Sequence, residues 1–355
     1  MVNKILPVIA MTVPLFFFSC DDDPIEVEAS NIVEILDDVT EVTTWYSDSI
    51  YLIKAWDFYV ENTLTIQPGT VIKFTADGPY MILGASGTVI AAGTAGEPIV
   101  FTSWKDDSYG GDTNGDDDAT APAVKDWGYI STNDANGSRF EYCEFYYGGD
   151  LGNSYTLQMY GNGIKVDHCT FAHNAGDNAT GWYGALDATY GGSACQITNN
   201  LFYDNVRPLS ISLEFDLDNS NSFSQNGGST TNQYNGIFVE SINDVNGLIH
   251  WGETEVPYVI DDNDWWINSG GSLTLADNVC LKFRPDSELL LDDTNAINNH
   301  DGPGVVFTSY KDDTQKGDTN GDGSASTPTA GDWGGIYDNI ATAYVSWGNI
   351  YFAAN

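Results

Sequence analysis

From residue 43 onward the chain is written in short runs in which apolar and polar residues alternate, the period of an extended strand with one face on a core. The opening run, TTWYSDSIYLIKAWDFYVENTLTIQPGTVIKF at residues 43–74, breaks at Asn62 and at Pro68-Gly69, residue types that favour turns. Apart from an N-terminal apolar stretch, no segment combines apolar residues at helical spacing with a cap. The pattern predicts an all-β protein of many short strands and tight turns.

The runs repeat. Phe101 to Ile130, FTSWKDDSYGGDTNGDDDATAPAVKDWGYI, returns without a gap at Phe307 to Ile336 as FTSYKDDTQKGDTNGDGSASTPTAGDWGGI, at an offset of 206. The opening run returns at Tyr258 to Phe283, with Lys73-Phe74 matching Lys282-Phe283 at an offset of 209. Between the copies lie three similar segments, beginning at Arg139, Lys165 and Gln196, spaced by 26 and 31 residues. Repeats of this length are what a solenoid of stacked coils shows. Stacking predicts an interior column of Phe145, Phe171 and Phe202, and a corner of Asn174, Asn205 and Asn226 whose amides bond adjacent turns. It also sets Arg139 beside Lys165 and Glu141 beside Asp167 on an outer face, with Cys143 and Cys169 inside.

Composition sharpens this picture. With 355 residues, 42% hydrophobic and 13% aromatic, the chain can bury a sizeable core. Its formal net charge of -39, from 51 acidic and 12 basic residues, argues against nucleic acid and against unassisted binding of polyanionic glycans. Cations become the expected partners, and solubility in a salty exterior is the other reason for such a charge.

Residues 1–19 run from Lys4 through the apolar Ile5 to Phe18 and read as an export signal, too short to span a membrane. Phe17-Phe18-Ser19-Cys20 resembles a bacterial lipoprotein cleavage box, which implies lipidation at Cys20. Asp21-Asp22-Asp23 resembles the surface-export tag of Bacteroidetes lipoproteins, which implies the outer face of the outer membrane. Residues 20–42 then read as an acidic tether, followed by a folded part at 43–355: module one at about 45–148, middle rungs at 149–248 and module two at about 249–355.

The pieces Leu64 to Phe74, Gly87 to Ser103 and Asp126 to Ile130 resemble bacterial surface and secreted proteins of the right-handed parallel β-helix type, the pectate-lyase-like solenoid. That resemblance implies the fold for nearly all of residues 45–355. It implies little about activity, since such solenoids carry lyases, hydrolases, adhesins and passive scaffolds.

Candidate chemistry concentrates in the duplicated acidic loop. Asp112, Asn114, Asp116 and Asp118 alternate in the first copy, and Asp318, Asn320, Asp322 and Ser324 in the second. Oxygen ligands at alternate positions with glycine between them suit calcium in a structural role. Neither copy has a glutamate at the twelfth position, so Asp106 and Asp107, Asp312 and Asp313, or Asp126 and Asp332 would complete the shell. Asp167-His168-Cys169-Thr170 resembles a rung of pectate lyases in which an Asp contributes to calcium binding; with the stacking of Arg139 beside Lys165 and Glu141 beside Asp167, these four residues and His168 form the candidate catalytic set, with a charge ladder as the plainer reading. His173 and Asp177 could join His168 on a metal. Outward aromatics, among them Tyr146-Tyr147, Trp182-Tyr183, Tyr190 and Trp265-Trp266, suit stacking on sugar rings or packing of loops. The sequence thus points to a lipid-anchored, calcium-stabilised scaffold for polysaccharide or cell-surface glycan binding or adhesion, with no nucleic-acid partner. A polysaccharide lyase or glycoside hydrolase, and a structural subunit of a surface complex, are the alternatives.

Overall fold

The computed structural model describes residues 31–75, 78–150, 152, 154–178, 181–261 and 263–354. The signal segment, Cys20 and Asp21 to Asp23 lie outside them. The fold is all-β; among the described residues there is no helix, and hence none long and apolar enough to cross a membrane.

Three long parallel sheets dominate, of seven, ten and six strands. Apart from two short antiparallel pairs, Ser224–Gln225 with Thr230–Thr231 and Gly335–Asp338 with Ala343–Tyr344, successive strands fall in different sheets and pair in parallel with strands from neighbouring circuits. Ile99–Ser103, Cys143–Tyr146, Thr170–Ala172 and Leu201–Tyr203 are neighbours in the seven-stranded sheet. Arg139–Glu141, Lys165–Asp167 and Gln196–Thr198 are neighbours in the six-stranded one. Such stacking is compatible with a solenoid.

Alternation explains the core. In Thr63–Ile66 the side chains of Leu64 and Ile66 are buried while Thr63 and Thr65 are partly exposed, because consecutive residues of a strand point to opposite faces. Every circuit adds a similar layer, so one cluster runs from Val39 to Ile336. The phenylalanine column forms as expected and is longer, with Phe101, Phe145, Phe171, Phe202 and Phe223 stacked at 4.7–5.2 Å between ring centroids.

The asparagine corner is corrected at one position. Asn174 and Asn205 are joined by Asn232, and Asn226 is exposed in a turn. A short antiparallel hairpin, Ser224–Gln225 with Thr230–Thr231, delays the return of the chain to the corner by six residues. Each Asn donates to a backbone carbonyl of an earlier circuit, such as Asn205 Nδ2 to Phe171 O at 2.8 Å. A second ladder, Asn200 to Asn221, runs at another corner.

Regular structure also starts earlier than the expected tether allows. Asn31–Ile35 is a strand paired in parallel with Ser49–Ile53. Its Val33 and Ile35 pack on the core, while the outward Glu34 meets Lys54 at 2.9 Å.

The two modules enter the stack differently. Module one's Val71–Phe74 and Ile99–Ser103 belong to the seven-stranded sheet, whereas their sequence equivalents Cys280–Phe283 and Val306–Ser309 continue the ten-stranded sheet. The two acidic loops therefore leave the molecule from different faces.

Candidate functional site

Each acidic loop is seated by the same set of contacts. Lys73 and Lys282, on strands under the loops, are fully buried. Lys73 Nζ donates to the carbonyls of Asp106 and Gly111 at 2.9 and 2.8 Å, and Lys282 Nζ to Gly317 O and Thr319 Oγ1 at 2.7 and 2.9 Å. Thr102 and Thr308 bond Asp106 and Asp312, both at 2.7 Å. At the far end of each loop Asp126 takes Lys105 at 2.8 Å and Ser103 at 2.8 Å, and Asp332 takes Lys311 at 2.9 Å and Ser309 at 2.8 Å. Trp127 then stacks on Phe74 at 4.2 Å and Trp333 on Phe283 at 3.9 Å. Asp106, Asp126, Asp312 and Asp332 thus anchor the loops to the framework.

The remaining loop carboxylates do converge in the second copy. Oxygens of Asp313, Asp318 and Asp322 lie within 4.8 Å of one another. Asp318 and Asp322 hold the turn by accepting backbone N–H groups, Gly321 and Gly323 for the first, Ser324 and Ala325 for the second. The Ser326 side chain, then backbone N–H groups, holds the Asp322 carboxyl below its ordinary range. Asp313 Oδ1 is buried with no hydrogen-bond partner, and so are Asp107 Oδ1, Asn114 Oδ1 and Asp116 Oδ1 in the first copy. Asn320 Nδ2 donates to Asp322 and Ser326, and Asp118 is not among the converging carboxylates. Burial first, and then the neighbouring Asp112, raises the pKa of Asp107.

The candidate catalytic residues form a charge ladder on the six-stranded sheet. Register sets Arg139 beside Lys165 and Glu141 beside Asp167. Lys165 Nζ lies 2.7 Å from Glu141 and 3.1 Å from Asp167, His168 Nδ1 lies 3.0 Å from Asp167, and Arg139 stands 3.9 Å from Glu141. Asp167 also accepts Thr198 Oγ1 at 2.6 Å and Asn199 Nδ2 at 2.9 Å. Burial pushes its carboxyl up, but these bonds outweigh it and hold the pKa well below the usual carboxylate range. The Lys165 ammonium is raised by its bonds to Glu141 and Asp167, which keeps it protonated, the state opposite to what a base needs. His168 stacks on Tyr142 at 4.6 Å; His173 pairs with Asp204 at 2.7 Å; Asp177 caps the backbone of Trp182 and Tyr183. These three therefore do not converge, and among the described residues Asp313, Asp318 and Asp322 make the one group of three fit for a metal.

The feature that sequence reasoning missed lies on the ten-stranded sheet. A groove of about 510 Å³ is lined by Tyr59, Tyr129, Tyr155, Tyr160 and Tyr190 over a floor of Ile82, Ser131 and Gln158. Tyr129 stacks on Tyr80 at 5.1 Å and meets Tyr155 edge-on at 4.9 Å, forming one rail; Tyr160 and Tyr190, 5.3 Å apart, form the other. Ser131 Oγ donates to Gln158 Oε1 at 2.9 Å, and Gln158 Nε2 to Asp187 Oδ2 at 2.9 Å. Asp187 is fully buried, and burial raises its pKa against the donors Thr189, Gln158 and Ser210. The signal was a tyrosine placed between or beside inward residues, as Tyr59 stands between Phe58 and Val60. Unequal loops between circuits hid the alignment of one tyrosine with the next.

Cys143, Cys169, Cys195 and Cys280 are all buried free thiols. Comparison with known proteins finds no matching family model, no matching curated protein and no matching solved structure.

Proposed function

We propose that this chain is a right-handed parallel β-helix, lipid-anchored through Cys20 at the outer face of the outer membrane, that binds neutral polysaccharide or cell-surface glycan without transforming it. The groove between the tyrosine rails carries this reading. Aromatic faces suit the apolar faces of sugar rings, and a hydrogen-bonded polar floor beneath them suits hydroxyl groups. The same charge that opposes polyanions leaves neutral glycans unopposed.

Calcium has a structural place in this reading. An all-oxygen set at Asp313, Asp318 and Asp322 suits a hard cation, and the partnerless Asp313 Oδ1 is what such a cation would satisfy. The ion would neutralise the loop and fix its curl.

A glycan array probed with and without calcium tests the proposal, with Tyr160→Ala as the control because Tyr160 is exposed and its loss leaves the core intact. Binding to a neutral polysaccharide, weakened about tenfold by Tyr160→Ala, is the expected result. Turnover of the bound glycan, or binding that ignores the substitution, would count against it.

A further inference from the structure

We infer that the tyrosine groove is one end of a continuous cleft that takes a long linear neutral glycan, bent at Tyr190 into the gap where the six-stranded sheet stops. This rests on the glycan reading of the groove. Tyr190 lines both the groove and a second cavity of about 550 Å³, whose walls include Ser193, Glu214, Asp216, Ile242 and Leu248. Ser193 and Asp216 in turn line a third cavity of about 430 Å³, beside Gln196, Thr198 and His250. Each volume is that of a small-molecule site, and the shared residues make the three neighbours along the surface.

The gap has a cause in the fold. Gln196–Thr198 is the last strand of the six-stranded sheet, and on the next circuit Leu217 bridges forward to Trp251, the end of the first strand of a new three-stranded sheet. The chain between them keeps its inward residues Leu213, Phe215 and Leu217 buried, so the core closes beneath while the surface stays open.

The lining selects the ligand. Glu214, Asp216 and Asp218 on the walls oppose a polyanion, while Leu248, 79% exposed, and Ile242, 39% exposed, offer apolar contact to ring faces. An extended peptide added to the sheet edge is disfavoured. Asn221 Nδ2 already donates to Ile197 O at 3.0 Å, and Ser220 and Asn221 side chains already accept Asn199 N and Asn200 N.

The test uses the chain with size ladders of neutral glucans, mannans, galactans and xylans, measured by calorimetry, beside Ser193→Trp and Tyr160→Ala. Ser193 is exposed at the junction of the second and third cavities, so the indole blocks the path without entering the core. For the ladder that binds, affinity should climb with length beyond the shortest binding oligomer. Ser193→Trp should cost the long oligomers about tenfold and leave the short ones unchanged, which also shows that the variant is folded. Tyr160→Ala should weaken both. Affinity that levels off at the shortest oligomer, or long oligomers indifferent to Ser193→Trp, overturns the continuous cleft and leaves the groove standing. Binding of no neutral ladder overturns the glycan reading and the cleft with it, as does a random-peptide library selecting strands that Ser193→Trp displaces.

Discussion

At the scale of single residues, buried polar groups decide how this chain answers pH. Asp187 and the two loop lysines are held by local donors and acceptors, but Glu240 is different. It is 4% exposed beside Asp261, with Arg284 and Arg207 nearby, and burial first, then Asp261, pushes its pKa up to about 8. Glu253 is raised to about 7, again mainly by burial. A raised carboxyl keeps in the folded state a proton that the unfolded chain has lost, so its contribution is complete at acid pH and is lost as pH climbs through the folded value. Melting temperature should therefore fall between about pH 5 and pH 8, and Glu240→Gln should flatten that fall. With about 1.4 kcal/mol for each tenfold change, the effect is on the order of a few kcal/mol. Thermal melts across that range check it; an unchanged slope in the variant would remove Glu240 from the account. Asp167 acts in the opposite sense, since its depressed pKa gives stability lost only in strong acid.

Among the elements, the acidic loops show how a repeated sequence repeats its support. Lys73 and Lys282 sit at matching positions and reach loop carbonyls or hydroxyls in both copies. Their recurrence was visible in the sequence, yet a lysine within an apolar strand reads as an outward solvated group until the loop above it is seen. The alternating Asp and Asn residues were equally visible. The partner carboxylate Asp313 was one of several equivalent options, because convergence depends on how the loop folds back. If calcium occupies the second loop, chelation by EDTA lowers the melting temperature, and Asp318→Asn with Asp322→Asn removes part of that response. A melting curve indifferent to EDTA would sink the calcium reading.

For the whole molecule, the chain carries fifty-one acidic residues against twelve basic ones, so self-repulsion opposes compaction. Raising monovalent salt from low to physiological strength should therefore raise the melting temperature by screening, before any divalent ion is added; a fall would contradict this. The core resists that repulsion because most circuits repeat the inward apolar pattern of the one before, and this much the sequence determined by itself. Period-two runs, recurring Phe and Asn, and turn residues are local signals, and parallel stacking converts them into columns wherever the spacing is regular. The neighbours Arg139 and Lys165, Glu141 and Asp167 were legible for that reason. Tertiary structure alone decided the rest. The hairpin at 224–231 replaced Asn226 with Asn232, and the irregular circuit at 213–223 ended one sheet and opened the gap beside Tyr190. The shift of two of module two's strands, Cys280–Phe283 and Val306–Ser309, onto the ten-stranded sheet sent two similar loops out of different faces. Loop length between strands sets how far around the axis the chain has travelled, and no local pattern records that sum.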